Sequence, residues 1–265
     1  MRARNIHLVT PSDDAYRAFS SERAQESRHL RESLPPSAAQ RLSLELERVL
    51  EAWVATFVQT DDRRIVGYDL FRQNTNRYVP SYRELDSIAW TSEESAVVFE
   101  FKVSGNPVSV NKALKQLEMS GQILACRFSV PGQAVVWCDT TNGEVESDFP
   151  SLDLEAARAQ LLLEMESNAV VRLSARDVWN WGVAQSLVTD SELYEQVVAE
   201  AQAAATLRAG RQELLDDGVA PDDLPERLRT RRPELPPAGS AAFGDTAPEE
   251  GTLAAKLRKA LEGGR

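Results

Sequence analysis

Apolar side chains recur along this chain with two different periods. Between residues 37 and 57, Leu42, Leu46, Val49, Leu50, Trp53 and Phe57 form one stripe at helical spacing, which predicts a helix packed against a core. Residues 65–71, 82–90 and 96–103 are short runs rich in β-branched and aromatic side chains. Turn-rich stretches such as Asn74-Thr75-Asn76 and Thr91-Ser92-Glu93-Glu94 separate them, so three strands are expected. Asn106-Pro107 opens a second helix to about residue 120, with Pro107 in its first turn and Gly121 as its stop. Residues 124–130 and 133–139 read as a hairpin turning at Pro131-Gly132. The order helix, three strands, helix, two strands predicts an α/β fold with a mixed central sheet flanked by helices.

Residues 12–34 carry a polar, charge-rich helical pattern closed by Pro35-Pro36, which suits a solvated arm or a helix lying on another surface. Residues 151–167 read as helix, Ser174 with Asp177 as a capping-box-like start to a short helix through Trp179 and Trp181, and residues 190–207 as a long Ala-rich helix. Beyond Gly210 the chain turns to Pro, Gly and charge, the composition of a flexible linker, with a short basic helix over 253–261. Four parts follow: an N-terminal helical arm (1–36), an α/β core (37–150), a helical C-terminal extension (151–210) and an acidic Pro/Gly-rich tail (211–265).

No apolar run is long enough to span a bilayer and no hydrophobic signal core follows Met1, so a cytoplasmic protein without membrane contact is expected. In the expected hairpin Cys126 pairs across from Trp137, which sends Cys138 to the other face, argues against a disulfide and leaves core packing as the role of both thiols. The two cysteines and two histidines offer no zinc-ligand spacing. A formal net charge of −11 counts against a broad basic nucleic-acid surface. The acidic excess is uneven: between Arg72 and Arg127 seven Lys or Arg face six acids.

Within Val97-Val98-Phe99-Glu100-Phe101-Lys102-Val103 a charged pair interrupts an apolar strand. Strand alternation sends Glu100 and Lys102 to the face of Val98, and Val97, Phe99, Phe101 and Val103 to the other. Charges taken from water must be paired or bound to a metal, and the plain alternative is a solvated sheet face with an ordinary surface pair. If residues 82–90 pair antiparallel with this strand, Asp86 reaches the same face. Two carboxylates that close disfavour joint ionisation unless a cation lies between them, and hard oxygen donors suit Mg²⁺.

Asp86, a short connection, Glu100-Phe101-Lys102 on an apolar strand and a following helix bearing Gln116 resemble the PD-(D/E)XK nuclease superfamily core over about residues 40–140. The resemblance implies a restriction-endonuclease-like core and a Mg²⁺-dependent endonuclease or related phosphodiester hydrolase acting on DNA, with Mn²⁺ as a substitute ion. It makes Asp86 and Glu100 metal ligands with the Phe101 carbonyl as a third, and gives Lys102 the attacking water and the phosphate charge. Glu45 is the choice for the glutamate on the preceding helix, with Glu47 second and Glu51 pointing further away. Gln116 matches a helix glutamine found in some branches, although Ser120 stands where tyrosine often follows. Some members have a proline before the aspartate, where this chain has Glu84-Leu85-Asp86, and Glu84 either adds a ligand or marks the strand's solvated start. Lys112, Lys115, Arg77 and Arg83 are the candidate nucleic-acid contacts, with Arg72, Tyr78 and Tyr82 beside them. The rival readings are an inactive nuclease-fold module that binds DNA or a protein, and a structural or regulatory protein with no site. A homodimer, or a protein partner held through the C-terminal segment, completes the expected partners.

Overall fold

The computed structural model describes residues 2–28, 36–216 and 225. The chain divides into a unit spanning Met1–Gln202 and a second spanning Ala203–Arg265. The first contains two sheets. β1 (Ala3–Val9), β2 (Ile65–Arg72) and β3 (Arg77–Glu84) form an antiparallel sheet in the order β1-β2-β3. The central sheet is built from β4 (Ser87–Ser92), β5 (Ser95–Val103), β6 (Ser129–Asp139), β7 (Ser151–Leu152) and β8 (Asn168–Ser174) in the order β4-β5-β6-β8-β7. β4 is antiparallel to β5 and the other pairings are parallel, so the sheet is mixed.

Helices cover both faces of the central sheet. α1 (Asp14–Arg28) follows β1, and α2 (Ala38–Ala55) starts at a capping box in which Ser37 and Gln40 satisfy one another's backbone N–H groups. α2, α4 (Leu154–Leu163), α5 (Ala175–Ala184) and the first turns of α6 (Leu193–Asp216) enclose one core with Val97, Phe99 and Phe101 of β5 and Val136 of β6. α3 (Val108–Leu124) closes the opposite core with Val98, Val135 and Trp137. The alternation expected in β5 therefore holds, and the predicted α2 stripe is buried at Leu42, Leu46, Val49, Leu50 and Trp53. Each such apolar side chain contributes about 1.5–3 kcal/mol relative to exposure.

Several elements differ from the sequence expectation. Residues 82–90 are two strands in different sheets, broken at Leu85-Asp86. The expected hairpin is instead the end of α3 followed by the single strand β6, parallel to β5. Pro131-Gly132 lies inside β6 at a register shift, and a side chain at Gly132 would collide with the Met165 and Ser167 backbone. Cys126 is consequently exposed and only Cys138 is a core thiol; both are free. α3 runs through Gly121, whose missing side chain admits Gln133 of β6. The stretch 151–210 is not wholly helical, because β7 and β8 extend the central sheet, and α6 continues past Gly210 to Asp216. Residues 29–35 of the N-terminal helix reading, and the linker, terminal helix and partner role assigned to the tail beyond Asp216, lie outside the described residues apart from Pro225.

The far end of β6 is held by a buried ion pair. Arg172 of β8 donates to Asp139 Oδ2 at 2.5 Å, and also to the Val145 and Phe149 carbonyls, which fastens the 140–149 loop to the sheet. Asp139 further accepts from the Thr141 and Gly143 backbones and the Thr141 hydroxyl. Burial alone would raise its pKa, but the hydrogen bonds from Thr141, Arg172 and Gly143 outweigh it and hold the carboxyl below its ordinary value. Among the described residues no helix is long and apolar enough to cross a membrane.

Candidate active site

The connection from β3 to β4 is two residues long, and its second residue is Asp86. Because β4 begins at Ser87, opposite Phe99, the edge of β5 at Phe101 extends beyond its ladder partner. The Asp86 side chain completes that edge: its Oδ2 accepts the Phe101 N–H at 2.7 Å. The N–H and C=O of one strand residue point to the same edge, so the Phe101 carbonyl is directed to Asp86's side of β5. One residue to either side, Glu100 and Lys102 project together on the α3 face with Nζ and Oε1 2.6 Å apart. Glu100 is 7 % exposed and Lys102 is more open.

Two cavities meet at Asp86. One, of about 400 Å³, is lined by Asp86, Glu100, Lys102, Gln116 and Arg83 and walled by Tyr16, Phe19, Ser20 and Arg23 of α1. The other, of about 360 Å³, is lined by Asp86, Phe101 and Glu84 with Glu47, Arg48 and Glu51 of α2 and Arg64. Arg64 donates to Glu51 at 2.7 Å and to the Asp86 carbonyl at 3.3 Å, tying α2 to the connection.

Burial raises the pKa of Asp86, opposed less strongly by the Phe101 N–H and the charges of Lys102 and Arg64. Glu100 is raised first by burial and then by the Asp86 charge, against the pull of Lys102. Glu47 is likewise raised by burial and by Asp86. Three carboxyls therefore share a field that disfavours their joint ionisation.

The donor set fits a hard cation of low protein coordination. Asp86 Oδ2 and Glu100 Oε1 are engaged, while Asp86 Oδ1 and Glu100 Oε2 accept no hydrogen bond from the described residues. Among the described residues no group of three or more His, Cys, Asp or Glu is placed to hold one ion. Mg²⁺ commonly takes only one or two carboxylates and keeps waters or substrate oxygens for the rest, so Asp86, Glu100 and the Phe101 carbonyl are the groups that could hold one.

Other sequence candidates are placed differently. Glu45 is turned away from the site, accepting from Arg48 at 2.6 Å and from Thr189, whereas Glu47 lines the Asp86 cavity. Both glutamates border the apolar stripe of α2, but the flank that meets Asp86 is the one carrying Glu47 and Glu51. Glu84 is the exposed last residue of β3, accepts the Tyr16 hydroxyl and lines both cavities. Arg83 is spent on α3, donating to Ser120 Oγ at 2.6 Å and the Gln116 carbonyl at 2.8 Å, so it anchors the wall and lends the cavity its charge. Lys112 and Lys115 are exposed on α3 outside the cavity lining, and Arg77 starts β3, about 20 Å along the strand from Glu84. Sequence reading missed Arg64, Tyr16 and Phe19 as site neighbours; the Arg63-Arg64 pair just before β2 was the one local signal for the first. No family model, no curated protein and no solved structure matches this chain.

Proposed function

We propose that this chain is a Mg²⁺-dependent nuclease of the PD-(D/E)XK type that hydrolyses phosphodiester bonds of DNA. The observation that carries this reading is the bond from Asp86 to the Phe101 backbone, which sets one carboxylate beside the Glu100–Lys102 pair. The order α2, β2, β3 broken into β4, β5, α3, β6, with β6 parallel to β5, supports a restriction-endonuclease-like core.

In this reading Asp86, Glu100 and the Phe101 carbonyl hold Mg²⁺, or Mn²⁺ in its place, and Glu47 takes the helix-glutamate role first given to Glu45. A bound ion of this kind lowers the pKa of water and neutralises charge on a phosphate. Lys102 orients the attacking water and donates to a phosphate oxygen as negative charge develops there. Gln116 contacts substrate from the cavity rim. Cleavage of supercoiled plasmid by the parent with Mg²⁺, lost in both Asp86→Asn and Lys102→Ala with an unchanged circular dichroism spectrum, is the expected result. Full activity in both variants would sink the reading.

A second reading rests on the closed Glu100–Lys102 pair and the net charge of −11: a nuclease-fold module that binds DNA or protein without cutting. Calorimetry separates the two, because a module gives no Mg²⁺ or Mn²⁺ binding that depends on Asp86 and Glu100.

A further inference from the structure

The wall that α1 adds to the site lies outside the residues that carry the nuclease resemblance, and its composition is aromatic. Phe19 and Tyr82 rings are 5.0 Å apart and tilted by 52°, Tyr16 meets Tyr82 edge-on at 5.7 Å, and the Arg23 guanidinium lies 5.3 Å from the centre of Phe19. The three residues are half-buried and all line the cavity. Lys102, Glu100 and Asp86 line the same cavity. An aromatic surface beside a phosphate-handling lysine is the combination that binds single-stranded nucleic acid: the rings take an unpaired base and the cations follow the backbone.

Size points the same way. A cavity of about 400 Å³ is within the range of about 300–1,000 Å³ that encloses one small ligand, the scale of a single nucleotide. Duplex DNA presents its backbone on a broad rod and keeps its bases stacked inside, where Phe19 and Tyr82 have nothing to stack on. Charge is consistent as well. Arg23, Arg83 and Lys102 line the cavity against Glu84, Asp86 and Glu100, and two of those three acids are the cation-holding pair.

We infer that the α1 cavity takes a single-stranded segment or a frayed end, with one base packed on the Phe19–Tyr82 wall and the adjoining phosphate directed to Lys102. This rests on the nuclease reading for its chemistry, but its own readout is binding. Fluorescence anisotropy of the full chain is measured with a short labelled oligothymidylate and with a labelled hairpin duplex. Ca²⁺ replaces Mg²⁺, and a gel afterwards confirms that the oligonucleotides are intact. The single strand is expected to bind at least about tenfold more tightly. Loss of one base–aromatic contact corresponds to about 5- to 150-fold. Phe19→Leu, which keeps the apolar packing of α1, is expected to weaken single-strand binding within that range, and Phe19→Trp to retain it. Equal or tighter binding of the duplex, or Phe19→Leu binding like the parent, overturns the inference. Mg²⁺-dependent cleavage by the parent of the same oligothymidylate and of supercoiled plasmid is scored separately, so single-strand preference with neither substrate cut would remove the nuclease reading while leaving the binding surface standing.

Discussion

Asp86 and Phe101 are joined side chain to backbone across the end of β4, with Oδ2 2.7 Å from the strand nitrogen. The bond completes a sheet edge with one carboxylate oxygen, and in the proposed function the second oxygen takes the cation, so the two jobs are separable. Asparagine keeps an acceptor for the Phe101 N–H but loses the charge, whereas alanine leaves that N–H without its partner. Asp86→Asn is therefore expected to unfold in urea close to the parent, and Asp86→Ala to lose about 1–3 kcal/mol. Both should lose Mg²⁺-dependent cleavage. Cleavage tracking stability across the two variants would assign Asp86 a structural role only.

Glu47 and Glu45 make an internal control on one helix. Glu47→Gln is expected to weaken Mg²⁺ binding about 10- to 100-fold by calorimetry, the range for residues that support a metal site. Glu45→Gln, whose carboxylate is paired with Arg48 near solvent, should match the parent in metal affinity and lie within about 0.5 kcal/mol of it in stability. The reverse pattern would return the helix glutamate to Glu45.

The raised pKa of Glu47 sets the sign of a pH effect. At a pH between its ordinary and its raised value, the native state holds a proton that the unfolded chain has released, so stability falls as pH climbs. The contribution is complete below the ordinary carboxylate range, about pH 4, and is lost as pH rises through the native value. Without metal, Glu47→Gln should therefore melt above the parent at neutral pH, with the gap closing toward about pH 4. Added Mg²⁺ should raise the parent's midpoint at neutral pH, since it binds the ionised set. A gap that widens on acidification would contradict the burial of Glu47.

At the far end of β6, Asp139 is 0 % exposed and depends on Arg172 for its countercharge. Arg172→Met removes the cation and the donors to the Val145 and Phe149 carbonyls, leaving a buried carboxylate with only the Thr141 and Gly143 donors. A loss of about 3–5 kcal/mol in urea unfolding is expected. A loss under about 1 kcal/mol would mean that the 140–149 loop opens to hydrate Asp139.

The parts of the fold legible in the sequence are those with a long period or an abrupt boundary. The α2 stripe, the alternation in β5 and the start of α3 at Pro107 all carry such signals. Local punctuation misled where tertiary contact overrode it. Gly121 and Pro131-Gly132 resemble stops, yet both glycines serve close approaches, to Gln133 and to the backbone at Met165. β8 is short and follows a helix with only a brief turn, and β1 is mixed in polarity, so neither has a strong pattern of its own. Asp86, Glu100 and Lys102 were legible as neighbours because Asp86 immediately precedes β4 and Glu100 and Lys102 continue β5 just past its last pairing with β4. Glu47 was ambiguous because helix periodicity identifies both flanks of a stripe without saying which one meets β4. Tyr16 and Phe19 come from α1, almost seventy residues before Asp86, and no local spacing connects them.

The link Leu85-Asp86 also makes the proposed catalysis separable from the register of the two sheets. Both sheets are registered by pairings that end at Glu84 and begin again at Ser87, so a glycine inserted after Leu85 changes neither ladder while displacing the one carboxylate between them. Such an indel should cost about the 1–3 kcal/mol expected of Asp86→Ala, since it also breaks the bond to the Phe101 N–H, and should give a folded protein that does not cut. In the proposed nuclease, this one position would therefore let a single inserted codon silence the site while both ladders keep their register.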